Sequence, residues 1–191
     1  DPDTVIRLAR ATADGHLAGG VIPVLKHIPG HGRSLPDSHL DLPIIETSAE
    51  ELIATDFAPF KALNDLPLGM TGHLIFTAFD KVNPSTVSPK MISVIRQDIG
   101  FTGLLMTDDI SMQALDGDVA TRSAKSIDAG CDLVLLCNGD AAEMHQIVDV
   151  CGHLGANQIK TGEAALARRA AVDDADIPAL LAELNSLMNG L

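Results

Sequence analysis

The sequence is poor in positive charge and has no long hydrophobic run. Its 191 residues include 13 lysines and arginines against 26 aspartates and glutamates, a formal net charge of −13. Nucleic acid and anionic membrane surfaces both require a basic face, so this charge balance argues against either as the main partner. The longest apolar runs, such as residues 133–137, fall far short of the roughly 20 residues of a membrane-spanning helix.

Cysteines are also few, and no basic segment followed by an apolar one opens the sequence as a secretory signal would. Cys131, Cys137 and Cys151 are odd in number and lack CxxC spacing, which favours a reducing compartment over a disulfide framework. Cys131 and Cys137 flank a predicted buried strand, so we expect inert core thiols. Since 46% of the residues are hydrophobic, we expect a soluble, cytoplasmic, acidic globular protein.

Short apolar strands alternate with helices along the whole chain. The predicted strands cover residues 21–26, 67–75, 103–107 and 131–137. The predicted helices cover residues 1–20, 48–63, 88–100, 112–129, 140–154, 161–171 and 177–189. Continuous apolar strands separated by helices predict a parallel sheet that is covered on both faces.

Two architectures fit this alternation: an open doubly wound sheet and a (β/α)8 TIM-type barrel. No GxGxxG motif follows a strand, which weakens the dinucleotide-binding form of the open sheet. Polar residues collect at the carboxyl ends of the predicted strands, where a barrel carries its active site. They are Lys26, His27, His73, Asp108, Asp109 and Asn138. Four strands make only half a barrel, so the sheet is open, the chain is a fragment, or two chains complete each other.

The loop after the first strand, within residues 26–39 (KHIPGHGRSLPDSH), holds three of the seven histidines. Its glycines and prolines exclude a regular helix. Asp37 and His39 are two residues apart, so the carboxylate can orient the imidazole and raise its basicity, as a proton shuttle near neutral pH requires. The alternative is a polar surface loop with incidental histidines.

Asp108 and Asp109 follow the third strand, and adjacent carboxylates on an extended segment point in different directions. One could face a barrel mouth as a nucleophile or metal ligand, while the other caps the next helix or holds the loop. Alternatively, both merely favour a helix N-terminus. Lys26 and His27 could bind a polar substrate such as a sugar, or form a buried ion pair.

A metal site is the sharpest competing interpretation of these polar residues. Side chains that could in principle supply ligands are His27, His31, Asp37, His39, His73 and Asp108. There is no HxH on a strand end and no HExxH motif, so we expect neither a metal nor another cofactor.

Four segments together resemble the NagZ-type bacterial β-N-acetylhexosaminidases of glycoside hydrolase family 3. They are residues 26–39 (KHIPGHGRSLPDSH), 70–76 (MTGHLIF), 100–112 (GFTGLLMTDDISM) and 129–138 (AGCDLVLLCN). The resemblance extends over nearly the whole chain, and the loop PGHG…DSH separates this group from the β-glucosidases of the same family. It implies a (β/α)8 barrel and a retaining, two-step mechanism.

The resemblance also implies a role for each matching residue. Asp108 corresponds to the nucleophile that forms a glycosyl-enzyme intermediate, and Asp109 then has a supporting role. His39 corresponds to the general acid/base, which Asp37 orients, in place of the carboxyl group used by most retaining glycosidases. Lys26 and His27 correspond to residues that bind the N-acetylglucosamine ring. The implied substrate is a muropeptide with terminal β-linked N-acetylglucosamine, in cytoplasmic peptidoglycan recycling.

The first several βα units of the family have no counterpart in this sequence. We therefore expect residues 1–191 to be the C-terminal portion of a single catalytic barrel with no second domain. Its partner would be the N-terminal half of the barrel, since exposed strand edges invite aggregation. A β-glucosidase or an N-acetylglucosamine phosphorylase on the same scaffold, and an inactive sugar-binding fragment, remain as alternatives.

Overall fold

The fold is built on a parallel sheet. The computed structural model describes residues 1–34 and 42–190. Its strands are β1 (Val24–Ile28), β2 (Ile44–Ile45), β3 (Leu68–Thr71), β4 (Ile75–Phe76), β5 (Leu104–Asp109) and β6 (Leu133–Leu135). The main sheet has the order β1–β3–β5–β6, while β2 and β4 form a separate parallel pair. The predicted α/β class with a parallel sheet is confirmed, and its closure into a barrel stays a prediction.

Helices lie between the strands and on either side of them in the sequence. They are α1 (Pro2–Ala18), α2 (Ala49–Ala54), α3 (Ala58–Ala62), α4 (Pro89–Ser93), α5 (Val119–Ala129), α6 (Ala141–Cys151), α7 (Ala156–Ala167) and α8 (Ile177–Met188). Several begin at the capping residues that the sequence indicates: Ser48 accepts a hydrogen bond from the Glu51 amide, and Asp140 and Glu143 form a capping box. Among the described residues, no helix combines the length and apolarity required to cross a membrane.

Three predicted helix boundaries are wrong. The predicted helix 48–63 is divided into α2 and α3, because Pro59 lacks the amide proton that a continuous helix would use. The predicted helix 112–129 begins only at position 119, because Gly117 has a φ of 96° and Asp118 caps the helix. The predicted helix 161–171 lies earlier in the sequence, as α7. The helix predicted over 88–100 is present, as α4 followed by π-helical turns over Val94–Asp98.

Apolar side chains fix the main sheet against the helices. The largest fully buried members of this core are Phe76, Phe101, Ile28, Leu52, Leu63, Leu74, Met91, Ile95 and Leu105. A second buried cluster, of Ile110, Leu115 and Val119, lies directly after β5. Tight packing on both sides holds the carboxyl end of β5 in place, which is where the adjacent aspartates lie.

Candidate active site

The two strands that carry the predicted site residues extend further than expected. Lys26 and His27 lie inside β1, which continues to Ile28, and Asp108 and Asp109 are the last two residues of β5. Polar residues can continue a strand where its ladder continues, as it does here at Asp109, which is in register with Leu135 of β6. Strand geometry therefore sends Asp108 and Asp109 to opposite faces.

The structure brings His27 and Asp108 together. Nε2 of His27 lies 3.5 Å from Oδ2 of Asp108, and both side chains are partly exposed, at 27% and 17%. The other Asp108 oxygen, Oδ1, accepts a 2.8 Å hydrogen bond from the main-chain amide of Asp109. One carboxylate oxygen is thus held by the backbone while the other faces an imidazole at the open end of the sheet.

The charge state of His27 follows from its surroundings. Burial lowers the pKa of the imidazole, the nearby Lys26 ammonium adds to that effect, and the Asp108 carboxylate opposes it. The net result is a pKa below the ordinary value, so His27 is neutral at pH 7. A neutral imidazole can donate or accept a hydrogen bond, which suits contact with a sugar hydroxyl.

Asp109 is used quite differently from its neighbour. It is 7% exposed, and its carboxylate accepts hydrogen bonds from the amide and hydroxyl of Ser111, the amide of Cys137 and the side-chain amide of Asn138, at 2.6–3.2 Å. Burial raises the pKa of Asp109, but these hydrogen bonds outweigh burial and hold the pKa below its ordinary value. Asp109 therefore ties the end of β5 to the segment after β6.

A buried polar cluster lies beneath the aspartates. His73 is fully buried, with Nδ1 2.8 Å from the Thr86 hydroxyl and Nε2 3.0 Å from the main-chain carbonyl oxygen of Asp109. The Thr86 hydroxyl also lies 2.8 Å from that of Thr71. Both ring nitrogens of His73 are thus engaged inside the protein.

Beside His27 lies a cleft of about 580 Å³. Its lining includes Lys26, His27, His31, Arg33 and Phe60. Lys26 is exposed in this chain, and the alternative of a buried ion pair inside a barrel stays a prediction. His27 both lines this cleft and contacts Asp108, which is not itself part of the lining.

The predicted acid/base residues Asp37 and His39 lie outside the described residues, so their role stays a prediction. The chain just before them is anchored by Arg33. Its Nε donates to Asp56 and its Nη2 to Glu51, both at 2.8 Å. These contacts fix Arg33 to Glu51 of α2 and to Asp56 between α2 and α3.

The prediction for the cysteines is half right. Cys131 is buried, and burial raises the pKa of its thiol to about 12. Cys137 is exposed instead of forming part of the core, because β6 already ends at Leu135. Over residues 1–34 and 42–190, no group of three or more histidine, cysteine, aspartate or glutamate side chains is arranged to hold a metal ion.

Several functional features escape sequence reasoning. Gly72 follows β3 and lies below His27, where an added Cβ would be 3.2 Å from the His27 Cβ. Thr86 belongs to a short 3₁₀ turn, and its partner His73 is distant in sequence, so neither periodicity nor spacing indicates the contact. The partners of Arg33, Glu51 and Asp56, are 18 and 23 residues away in the sequence, so local patterns do not indicate these contacts either.

Comparison with known proteins agrees with the α/β fold. Residues 1–169 match the model of the glycosyl hydrolase family 3 N terminal domain. A beta-hexosaminidase of Actinobacillus succinogenes is 37% identical over 163 residues, covering 83% of this chain and 46% of the relative. A beta-hexosaminidase of Alkalilimnicola ehrlichii is 40% identical over 142 residues, covering 72% of this chain and 40% of the relative. The chain therefore spans less than half the length of these curated relatives.

Solved structures with the same fold include two with about 30% sequence identity to this chain. CbsA from Thermotoga neapolitana superimposes with a TM-score of 0.78 at 30% identity, covering 90% of this chain and 43% of that protein. NagZ from Neisseria gonorrhoeae, solved in complex with N-trifluoroacetyl-D-glucosamine, has a TM-score of 0.66 at 31% identity, covering 88% of this chain and 56% of that protein. Because the family model matches residues 1–169, well over half of its length, this chain belongs to glycosyl hydrolase family 3.

Proposed function

We propose that this chain provides the nucleophile and part of the sugar site of a retaining β-N-acetylglucosaminidase. The observation that carries the proposal is the contrast between two adjacent aspartates. Asp109 is saturated with hydrogen bonds, whereas Asp108 directs one oxygen toward His27 at the open end of the sheet. The hexosaminidases among its relatives supply the substrate class.

In the first chemical step, an Asp108 oxygen attacks the anomeric carbon as the bond to the leaving oxygen breaks. His39, oriented by Asp37, gives its proton to that oxygen, so an alcohol departs and a glycosyl ester remains on Asp108. In the second step, His39 removes a proton from water, which attacks the same carbon and regenerates the carboxylate. Two inversions retain the β configuration.

His27 and Lys26 bind and orient the sugar. Neutral His27 can donate to or accept from a hydroxyl group, and the Lys26 ammonium can donate to another oxygen. Both lie in β1 between Leu25 and Ile28, which pair with β3 on either side of a shift in register. Pairing on both sides limits their movement more than a free loop would. Holding the ring against Asp108 lowers the entropic part of the barrier to attack.

The whole protein would act on muropeptides with terminal β-linked N-acetylglucosamine, in the cytoplasm, as part of peptidoglycan recycling. Residues 1–191 would form the C-terminal portion of a single catalytic barrel. Two features support completion by an N-terminal half: β1 and β6 are the outer strands of the main sheet, and the matched residues cover only 46% and 40% of the two relatives. The large apolar residues of α8 are also more than half exposed, as is typical of a helix that packs against a further part of a protein.

The decisive test is covalent trapping in the complete gene product. Incubation with 5-fluoro-N-acetylglucosaminyl fluoride should add one sugar to the peptide that contains Asp108, seen by mass spectrometry. Asp108→Asn should remove the adduct and lower kcat/KM on an aryl β-N-acetylglucosaminide by roughly 10³-fold or more. Asp116→Asn, a nearby exposed carboxylate, is the matched control.

Four outcomes would contradict the proposal. Substantial turnover by the Asp108→Asn variant would show that another group is the nucleophile. Turnover that depends on inorganic phosphate would indicate a phosphorylase, and preference for an aryl β-glucoside would indicate a β-glucosidase. Binding of N-acetylglucosamine in calorimetry with neither hydrolysis nor adduct would indicate a sugar-binding protein.

A further inference from the structure

The buried imidazole of His73 is not accounted for by the proposed chemistry. The ring is completely shielded from solvent. Its Nδ1 lies 2.8 Å from the Thr86 hydroxyl, and its Nε2 lies 3.0 Å from the main-chain carbonyl oxygen of Asp109. Burying a polar ring costs free energy that packing with an apolar residue would avoid. Its place beneath the nucleophile strand therefore calls for a specific reason.

The hydrogen-bond partners determine which nitrogen of His73 carries the proton. A carbonyl oxygen can only accept, so Nε2 must donate to Asp109. In a neutral ring Nδ1 is then the acceptor. It receives the Thr86 hydroxyl proton at 2.8 Å, a shorter contact than that of the hydroxyl with the Gly72 carbonyl oxygen at 3.3 Å. The Thr86 oxygen in turn accepts from Thr71, 2.8 Å away. The result is a one-way chain of donors from Thr71 through Thr86 and His73 to Asp109.

The charges around His73 are compatible with a neutral ring. Burial lowers the pKa of the imidazole, and the Arg122 guanidinium acts in the same direction. The hydrogen bond to Asp109 and the carboxylates of Asp108 and Asp109 oppose this, but the pKa stays below its ordinary value. His73 thus remains a donor through one nitrogen and an acceptor through the other at neutral pH.

The carbonyl held by His73 belongs to the residue that orients the nucleophile. Asp109 is fixed at its carboxylate by hydrogen bonds from three residues and at its carbonyl by His73. Its amide donates a 2.8 Å hydrogen bond to Oδ1 of Asp108. Any rotation of residue 109 would move that amide and release the Asp108 carboxylate from its orientation.

We propose that His73 is a positioning residue for the nucleophile, which it serves by clamping the Asp109 carbonyl from below so that the Asp109 amide holds Asp108 toward the sugar. The inference rests on the proposed function of Asp108. It assigns to Thr86 the task of fixing the tautomer of His73. No contact between His73 and substrate is involved.

The test compares variants that keep or remove the donor to Asp109, in the complete gene product. His73→Leu removes the donor, whereas the amide of His73→Gln can occupy the place of Nε2 and donate to the same carbonyl. We expect His73→Leu to lower kcat/KM on an aryl β-N-acetylglucosaminide at least tenfold, and His73→Gln to stay within threefold of the unchanged protein. Thr86→Val should lower kcat/KM more than Thr86→Ser, which keeps the hydroxyl.

A further readout separates positioning from mere stability. The rate of adduct formation with 5-fluoro-N-acetylglucosaminyl fluoride should fall in His73→Leu, while the Kd for N-acetylglucosamine changes less than twofold. Ser85→Ala is the matched control, because the buried Ser85 hydroxyl donates to Leu74 in the same turn without contact to the aspartates. Its kcat/KM should stay unchanged even if its melting temperature falls.

The inference is overturned if folded His73→Leu keeps kcat/KM within threefold, or if His73→Leu and His73→Gln lose activity equally. Failure of the proposed function is a distinct result, because the unchanged protein would then form no adduct. Nitrogen NMR of the imidazole tests the tautomer without activity: the proton should reside on Nε2 of His73, and a proton on Nδ1 would contradict the clamp.

Discussion

Nε2 of His27 lies 3.5 Å from Oδ2 of Asp108, although their strands β1 and β5 are separated in the sheet by β3. The imidazole crosses the end of the intervening strand, and the residue at that point is Gly72. An added Cβ there would crowd both His27 and Leu74. The absence of a side chain at one position of β3's carboxyl end thus permits contact between residues on its two neighbours.

The Gly72→Ala substitution should therefore disturb the site. The new Cβ would lie 2.6 Å from Cδ1 of Leu74 and 3.2 Å from Cβ of His27, so both must shift. We expect a loss of about 1–2 kcal/mol in the free energy of unfolding and about a tenfold lower kcat/KM. Gly162→Ala, in the interior of α7 with open space around it, should stabilise by about 0.5–1 kcal/mol without changing activity. Equal activity of the two variants would refute the crossing role.

Asp109→Asn should destabilise the protein through hydrogen bonding. The two carboxylate oxygens of Asp109 now accept four hydrogen bonds. An asparagine has only one side-chain oxygen to accept them, and its NH2 group would face donors in place of acceptors. The expected loss is about 2–3 kcal/mol of unfolding free energy, measured by urea denaturation. Asp118→Asn, at the N-cap of α5, should have little effect because asparagine caps helices as well as aspartate does. A similar small effect at both positions would argue against the anchoring role of Asp109.

The pKa of His27 predicts a pH dependence of stability. Burial lowers it in the folded protein, whereas unfolding restores the ordinary value near 6.5. As the pH falls below 6.5, the unfolded chain binds a proton that the folded protein resists, so stability decreases. Urea denaturation at pH 7.5 and 5.5 should show a smaller decrease for His27→Gln than for the unchanged protein. An identical decrease in both would mean that His27 does not contribute.

Asp80 should contribute in a more acidic range. Its carboxylate, 5% exposed, accepts hydrogen bonds from the amides of Val82 and Asn83, the Asn83 side chain and the Ser88 hydroxyl. Burial raises the pKa of Asp80, but these hydrogen bonds outweigh it and lower the pKa to about 2. The resulting stabilisation, about 2 kcal/mol, is complete above pH 4 and lost as the pH falls to 2.

Asp80→Asn should remove this acid-sensitive contribution. Thermal unfolding followed between pH 5 and 2 should show a flatter profile for the variant, with lower stability at pH 5. If the two profiles run parallel over that range, Asp80 is not the group that titrates.

Much of the fold follows from the sequence because apolar strands and helix caps are local signals. Continuous hydrophobic runs predict the parallel sheet, and Ser48 and Asp140 lie at the helix starts. The strand ends are less predictable, since β1 continues past Lys26 and β5 as far as Asp109 despite the polarity of these residues. Ladder pairing depends on neighbouring strands, which the local sequence does not contain.

The sequence predicts which residues form the candidate site better than it predicts the contacts between them. The histidine-rich loop and the paired aspartates are visible as clusters, and the different environments of Asp108 and Asp109 follow from strand alternation. The contacts of His27 with Asp108 and of His73 with Thr86 join distant parts of the chain. The prediction that Cys137 lies in the core is wrong, because an apolar run in the sequence does not show at which residue its strand leaves the core.

Residues 35–41 are bounded on both sides by attachments to the framework. Arg33 is bound to Asp56 before them, and the Ile45 carbonyl of β2 accepts a hydrogen bond from Thr77 after them. With the ends held in this way, even a doubling of the segment's length would cost only about 0.6 kcal/mol in loop closure. The described contacts of Asp108, with His27 and with the Asp109 amide, lie outside this segment, so its length could be changed by a protein engineer without altering them.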